Sequence, residues 1–463
     1  MMFRKVNKVH FVGIGGIGMS GIAELLINLG FMVSGSDIND SEIIQSLKYK
    51  GATIFEGHEA SHVSDCEVLV YSSAVSKDNP ELAAAHEKNI PIIKRAEMLG
   101  ELIALKQTSI GVGGTHGKTS TSSMVGALLS YAKLDPTLVV GGLVQNLDTN
   151  SQLGSGDLIA VEAAEYDKSF LQLKPTISVI TNIEKEHMDC YNDLEDLHNS
   201  FAQFANSVPF YGALVACLDS AGVQKILPQV KRPVITYGLS SQAEISAKNI
   251  RSNKMDTTYS LYRHNQKCGD VTVHVPGIHN VLNSLAAAAI GFEMGLDAET
   301  VSNGISSYGG VRRRFELKGI ARDIMVVDDY AHHPTEVAAT LQAARDGWDR
   351  RIVAVFQPHL FSRTQSFYKE FAAAFMDSDV LVVTDIYPAR EKPIKGVTGE
   401  LVFDAARSMG HKHAHYIPSL DDLQDGLDEI VNENDMVITI GAGTIWRYGQ
   451  SYFDHLNSQE AAA

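Results

Sequence analysis

At 463 residues the chain is too long for one hydrophobic core, and domains of about 100–200 residues predict two to four units, here three. Apolar residues make up 44% and charged residues 20%, a globular balance that excludes a disordered chain. With 39 Lys and Arg against 55 Asp and Glu, the net charge of −16 gives no footprint for nucleic acid or an anionic membrane. A small anionic substrate stays compatible with it, because screening within roughly 8 Å lets nearby cations govern a site.

The four cysteines, Cys66, Cys190, Cys217 and Cys268, form no C-x-x-C pair, so neither a zinc knuckle nor a disulfide framework is expected and a reducing cytosol fits. The basic N-terminus runs into glycines with no long apolar stretch, so no signal peptide is predicted. No apolar run approaches the roughly 20 residues that span a bilayer. A cytoplasmic protein without membrane insertion is the expectation, and monomer and homodimer are left open.

In chain order, strand-like runs alternate with helical ones: Val9–Val12 before Ile17–Leu29, Ser109–Val112 before Thr121–Ser130, and Ile352–Phe356 before Phe367–Met376. Such alternation predicts an α/β protein of parallel sheets with helices on both faces. Glycine turns at Gly13, Gly113 and Gly441 each follow a strand and open a helix, and their separation assigns one to each of three domains. The domains are placed at 1–106, 107–314 and 315–463.

The first turn, Gly13-Ile14-Gly15-Gly16-Ile17-Gly18, matches G-x-G-x-x-G, and Asp37 follows the second strand where a dinucleotide fold places its ribose-binding acid. Alone this spells NAD and an oxidoreductase. Its physics is broader: glycines admit a diphosphate and the helix N-terminus attracts it, so any nucleotide diphosphate would suit. The strand Val68–Tyr71 ends in Ser72 and Ser73, phosphate donors or ordinary turn residues.

The second turn changes the class. Gly113, Gly114, Thr115, His116, Gly117, Lys118, Thr119 and Ser120 supply backbone amides for phosphates, a lysine for the β and γ oxygens, and a hydroxyl for Mg²⁺. The spacing is a variant, because Val112 stands where a strict phosphate loop has its first glycine. Downstream, the strand Asp157–Val161 delivers Glu162, with Glu165 and Asp167 behind it. The strand Ile177–Ile183 delivers Glu184, Glu186, His187 and Asp189. Carboxylates and an imidazole beside a phosphate loop suit Mg²⁺, and Glu162 ranks first as a ligand.

Together these segments resemble the Mur ligase family over essentially the whole chain. The resemblance rests on Gly13–Gly21, Gly114–Thr119, Thr181–Ile183, His187–Asp189, Gly277–Asn280 with Asn283, Arg313–Phe315, Asp328–Thr335, and Gln357–His359 with Arg363. It implies an ATP- and Mg²⁺-dependent carboxylate–amine ligase of peptidoglycan precursor synthesis, with UDP-N-acetylmuramate and L-alanine as substrates. The neighbouring alternative is the ligase type that attaches a recycled tripeptide. By the same resemblance Gly15, Gly16, Gly18, Asp37, Ser72 and Ser73 would hold the sugar nucleotide. Gly114 to Ser120 would cradle the phosphates, and Thr119, Glu162 and His187 would hold metal. His279 and Asn280 would meet adenine, Arg314 an ATP phosphate and Asp329 the ribose. Tyr330, His332 and Arg363 would line the amino-acid end, and Lys118, Glu162, His187 and His332 would be catalytic. One departure stands out: the family's E-A-D-E-S-D reads Glu162-Ala163-Ala164-Glu165-Tyr166-Asp167. For His333, His359 and the Gly441–Gly443 turn, plain structural roles are the simpler reading.

Overall fold

The computed structural model describes residues 6–72, 74–144, 149–389 and 391–462. Its strands form three sheets. The first holds β1 (Lys8–Val12), β2 (Met32–Asp37), β3 (Thr53–Glu56), β4 (Val68–Tyr71) and β5 (Ile92–Lys94), all parallel, in the order β3-β2-β1-β4-β5. The order reverses beside β1, the crevice where open α/β sheets take ligands at their carboxyl edge.

The second sheet holds β6 (Thr108–Gly113), β7 (Thr137–Val144), β8 (Thr149–Gln152), β9 (Leu158–Glu162), β10 (Ile177–Ile180), β11 (Ala213–Cys217), β12 (Val234–Gly238), β13 (Ile245–Asn253), β14 (Asp256–Arg263) and β15 (Gln266–Val273). Its order is β15-β14-β13-β12-β11-β10-β6-β9-β7-β8, which sets β6 between β9 and β10. The third holds β16 (Glu316–Ala321), β17 (Ile324–Asp329), β18 (Arg351–Phe356), β19 (Val380–Val383), β20 (Ala414–Tyr416) and β21 (Asp435–Ile440), ordered β16-β17-β21-β18-β19-β20. β1, β6 and β21 carry the three glycine turns, one per sheet, as expected.

The central strands are continuous apolar runs because both faces are covered: β10, β11, β19 and β21 are buried at every position. The chain divides into two compact units. One comprises residues 1–249, 259–271 and 282–309; the other comprises 250–258, 272–281 and 310–463. Within the first unit one core cluster is continuous from Val9 and Phe11 of the first sheet, through Ile22 of its first helix, to Val139 and Ile159 of the second, so these two sheets share an interior. Among the described residues no helix is long and apolar enough to cross a membrane.

Element ends differ from the sequence expectation where backbone caps decide them. The helix after β6 runs Lys118–Tyr131 and begins three residues before the expected Thr121, because Gly117 caps it in the left-handed region at φ 80°. The helix after β18 begins at Phe361, not Phe367, behind Leu360 at φ 71°, and this brings Arg363 into its first turn.

Candidate active site

At the first turn Gly13 adopts φ 78°, and the Ser36 carbonyl accepts both the Gly13 and Ile14 amides at 2.9 and 3.1 Å. Asp37 accepts the Gly15 amide at 2.8 Å and that of Asn39 at 3.1 Å, so the expected ribose acid braces the turn. The helix Ile17–Asn28 starts at Gly16 with no capping side chain and no acid in its own first turn, and the Asp37 carboxylate at the Gly15 amide is a negative group beside its positive end. Ser72 closes the loop after β4, its Oγ accepting the Ala74 amide at 3.3 Å. Ser73 lies outside the described residues.

Sequence reasoning missed Arg95. It opens the helix after β5, and a Cβ at Gly18 would stand 3.0 Å from its Nη1. Burial draws the guanidinium pKa down while the charge of Glu162 draws it back up, so Arg95 links the first turn to the second sheet. Its place at a carboxyl edge was the available signal.

At the second turn glycine is required by space. A Cβ at Gly114 (φ 133°) would stand 2.0 Å from Thr181 Oγ1, and one at Gly117 would stand 2.5 Å from Asn283 Oδ1. The loop is fastened to the end of β10: Thr115 N–H donates to the Asn182 carbonyl at 3.0 Å, and His116 N–H donates to Asn182 Oδ1 at 2.8 Å. Lys118 folds back on its own loop, donating to the carbonyls of Gly114 at 2.6 Å and Thr115 at 3.0 Å, and it pairs with Glu165 at 2.9 Å. Thr119 and Ser120 are buried in the first helical turn.

Glu162 ends β9 in register with Val112 of β6, and its carboxylate accepts the Gly141 amide at 2.6 Å. His187, at φ 55°, lies with Nε2 3.7 Å from Glu165 Oε1 and meets the Tyr166 ring edge-on at 5.2 Å. Glu165 thus stands between Lys118 and His187, two residues nominated for catalysis, a position its order in the sequence did not convey. The residue types fit a magnesium nucleotide: a hydroxyl and a carboxylate as hard oxygen donors with an imidazole near them, beside a backbone cradle that any Cβ at Gly114 or Gly117 would fill.

In the second unit the carboxyl ends of β17 and β18 gather a further cluster. Arg313 donates to Asp328 at 3.2 Å and to the Gly441 carbonyl at 2.6 Å, and the guanidinium groups of Arg313 and Arg314 lie 4.8 and 5.1 Å from the Tyr330 ring centre. Asp329 accepts the Phe315 and Ala331 amides at 2.7 and 2.8 Å. Burial still pushes its carboxyl up to about 6, against the lowering pull of Arg314. His279, at the start of the helix Ile278–Glu293, is held down to about 4 by burial and then by Arg314, so its ring is neutral at physiological pH. Asn280 donates to the Pro276 carbonyl at 2.7 Å.

His332 Nδ1 contacts the Tyr330 carbonyl at 3.0 Å and Glu336 at 3.3 Å. Its ring meets Tyr330 at 5.3 Å and His359 at 6.1 Å. His359 stacks on Tyr387 at 5.8 Å and contacts the buried Arg363 guanidinium at 3.1 Å, so it belongs to this cluster. His333 caps the helix Pro334–Gly347 through its side chain, the plain role expected of it.

Three family models match in succession: the Mur ligase family catalytic domain over residues 8–107, the Mur ligase middle domain over 112–291, and the Mur ligase glutamate ligase domain over 313–443. The UDP-N-acetylmuramate–L-alanine ligase of Salinibacter ruber is 49% identical over 461 residues, covering 99% of this chain and 97% of its own. That of Syntrophus aciditrophicus is 49% identical over 460 residues, 99% of this chain and 96% of its own. A crystal structure of the Thermotoga maritima UDP-N-acetylmuramate–alanine ligase superposes with a TM-score of 0.83 at 28% identity, covering 98% of this chain and 99% of that one. Three largely parallel α/β sheets, a braced glycine turn before Lys118 and this whole-length kinship place the chain in the Mur ligase family.

Proposed function

We propose that this chain ligates L-alanine to the lactyl carboxylate of UDP-N-acetylmuramate at the expense of ATP, giving UDP-N-acetylmuramoyl-L-alanine, ADP and phosphate in peptidoglycan precursor synthesis. The observation that carries the reading is 49% identity over 461 residues to a ligase whose name states that substrate pair. The tripeptide-attaching alternative is not favoured, since the murein peptide ligase of Psychrobacter arcticus is 24% identical to this chain, with a TM-score of 0.72. Residues 1–106 bind the sugar nucleotide, 107–314 bind ATP and 315–463 bring the amino acid, in the cytoplasm.

When bound, ATP would supply the phosphoryl group that activates the unreactive carboxylate, and Thr119, Glu162 and His187 would hold Mg²⁺, whose charge would offset that of the phosphates. The chain's own residues do the rest. Gly13, Gly15, Gly16 and Gly18 admit the sugar diphosphate to the N-terminus of the helix that follows. Lys118 exchanges the Gly114 and Thr115 carbonyls and Glu165 for phosphate oxygens, the electrostatic term that matters most in such transfer. Neutral His279 and Asn280 offer polar edges to adenine without adding charge. Arg363, fixed against His359, is a planar donor for the amino-acid carboxylate, with Tyr330 and His332 beside it. The amine then forms its bond to the acyl carbon as phosphate leaves.

The test is product release. ADP and phosphate appear only when UDP-N-acetylmuramate, L-alanine, ATP and Mg²⁺ are all present. Equal turnover with the tripeptide in place of L-alanine would transfer the chain to the recycling type, and hydride transfer from NADH would sink the ligase reading.

A further inference from the structure

Under the first sheet lies a buried polar cluster that the ligase reading leaves unused. Glu81, in the first turn of the helix Pro80–Glu87, has no exposed surface. Its carboxylate accepts from the Ser36 hydroxyl at 2.6 Å and contacts His62 Nδ1 at 2.7 Å and His58 Nδ1 at 3.2 Å, while His10 Nε2 lies 3.7 Å away. His10, itself fully buried, is bound on its other nitrogen to Ser34 at 2.8 Å. The Glu81 amide donates to Asn79 Oδ1 at 2.9 Å, and Asn79, the N-cap of the same helix, ends the loop that follows β4.

Burying a carboxylate costs several kcal/mol unless its hydrogen bonds are made, and apolar packing would give equal stability without that risk. Burial alone would raise this carboxyl; bonds from His10, Ser36 and His62 outweigh it and hold Glu81 at about 2, so it stays charged. The cluster's reach explains its place. β2 and β4 flank β1, the strand that carries the glycine turn, and Glu81 joins the end of β2 to the loop after β4. Ser36, its hydroxyl partner, is the residue whose carbonyl takes the Gly13 and Ile14 amides.

We propose that Glu81 is a positioning residue of the nucleoside-diphosphate-sugar site: by fixing Ser36 from beneath the sheet, it sets where the Gly13–Gly16 turn presents its backbone to the diphosphate. The inference rests on the assignment of the sugar nucleotide to the first sheet. Glu81 touches no substrate and acts through Ser36 alone.

The experiment measures KM for UDP-N-acetylmuramate, KM for ATP and kcat in the full-length enzyme carrying Glu81→Gln, Ser36→Ala or both, with calorimetric Kd values for each nucleotide. Each single change raises KM and Kd for the sugar nucleotide about tenfold and leaves kcat at saturation and KM for ATP within about twofold. The double variant is no worse than the poorer single one, since both break one chain of contacts. A scaffolding role would instead lower melting temperature and kcat and disturb both nucleotides, and that pattern, or additive losses, overturns the proposal. If Glu81→Gln does not fold, Ser36→Ala decides by the same split. Gly15→Val separates the two layers: if it leaves sugar-nucleotide affinity intact, the site assignment is wrong; if it abolishes affinity while Glu81→Gln and Ser36→Ala do nothing, the positioning inference alone is wrong.

Discussion

The two glycine turns of the first unit begin alike and end differently. Both follow a buried parallel strand, both open a helix without a capping side chain, and both are braced by a neighbouring strand end. At Gly13–Gly16 the braces are a carbonyl and the Asp37 carboxylate, and the cation beside the turn, Arg95, comes from another helix. At Gly114–Gly117 the brace is Asn182, and Lys118 follows at once, stored against two carbonyls and Glu165. A turn that only has to hold a diphosphate needs amides and space. One that has to stabilise a moving phosphoryl group needs a mobile cation as well, and an acid to keep that cation in place beforehand.

The largest expected effect tests that cation. Lys118→Ala lowers kcat by about 10³-fold, the scale of losing one preorganised donor at a charged transition state, with sugar-nucleotide affinity kept. Phosphate release under saturating substrates is the measurement, and a loss under tenfold would remove Lys118 from the chemistry.

Gly15→Val attacks the other turn. A Cβ there would stand 2.8 Å from Asp37 Oδ2 and 3.2 Å from Ile44 Cδ1, so the branched side chain displaces the brace and fills the approach. KM for UDP-N-acetylmuramate rises about 100-fold and KM for ATP does not change.

A strand-end acid accepting amides recurs at Asp329 in the second unit, which sharpens the comparison through pH. Its folded pKa of about 6 lies above the ordinary carboxylate value, so its contribution to stability is full below about pH 4 and is lost as pH rises through 6. The loss is on the order of 2–3 kcal/mol, from two units at about 1.4 kcal/mol each. Asp329→Asn leaves one of the Phe315 and Ala331 amides without its acceptor and starts lower, yet its stability between pH 4 and 6 is flatter than that of the wild type in urea titrations. Equal slopes would contradict the burial argument. The smallest effect concerns His279: with its ring neutral down to about 4, ATP affinity changes less than about twofold between pH 8 and 5.5 on its account, and its imidazole NMR signals do not titrate in that range.

The sequence conveyed what is local. Alternating apolar runs and glycine turns announce three sheets, and Gly114 to Thr119 announce a phosphate loop, because these depend on neighbours a few residues away. Lys118 and Glu162 were nominated on the same local grounds, whereas Tyr330, His332 and Arg363 were nominated by the family resemblance, and the structure groups these three around His359. Long-range partners were not. Nothing near Glu165 says that it stores Lys118, 47 residues distant, and nothing near Arg95 says that it reaches Gly18. His359 looked structural until its ring was seen against Tyr387 and His332, and the helix start at Phe361 depended on one left-handed residue, Leu360, whose conformation no composition reveals.

The central claim is that the two glycine turns serve two different ligands, and calorimetry of Lys118→Ala and Gly15→Val with UDP-N-acetylmuramate and with a non-hydrolysable ATP analogue tests it most directly. The account predicts that Gly15→Val loses the sugar nucleotide and keeps the ATP analogue, while Lys118→Ala keeps the sugar nucleotide and weakens the analogue. Loss of the ATP analogue in Gly15→Val with the sugar nucleotide still bound would contradict it.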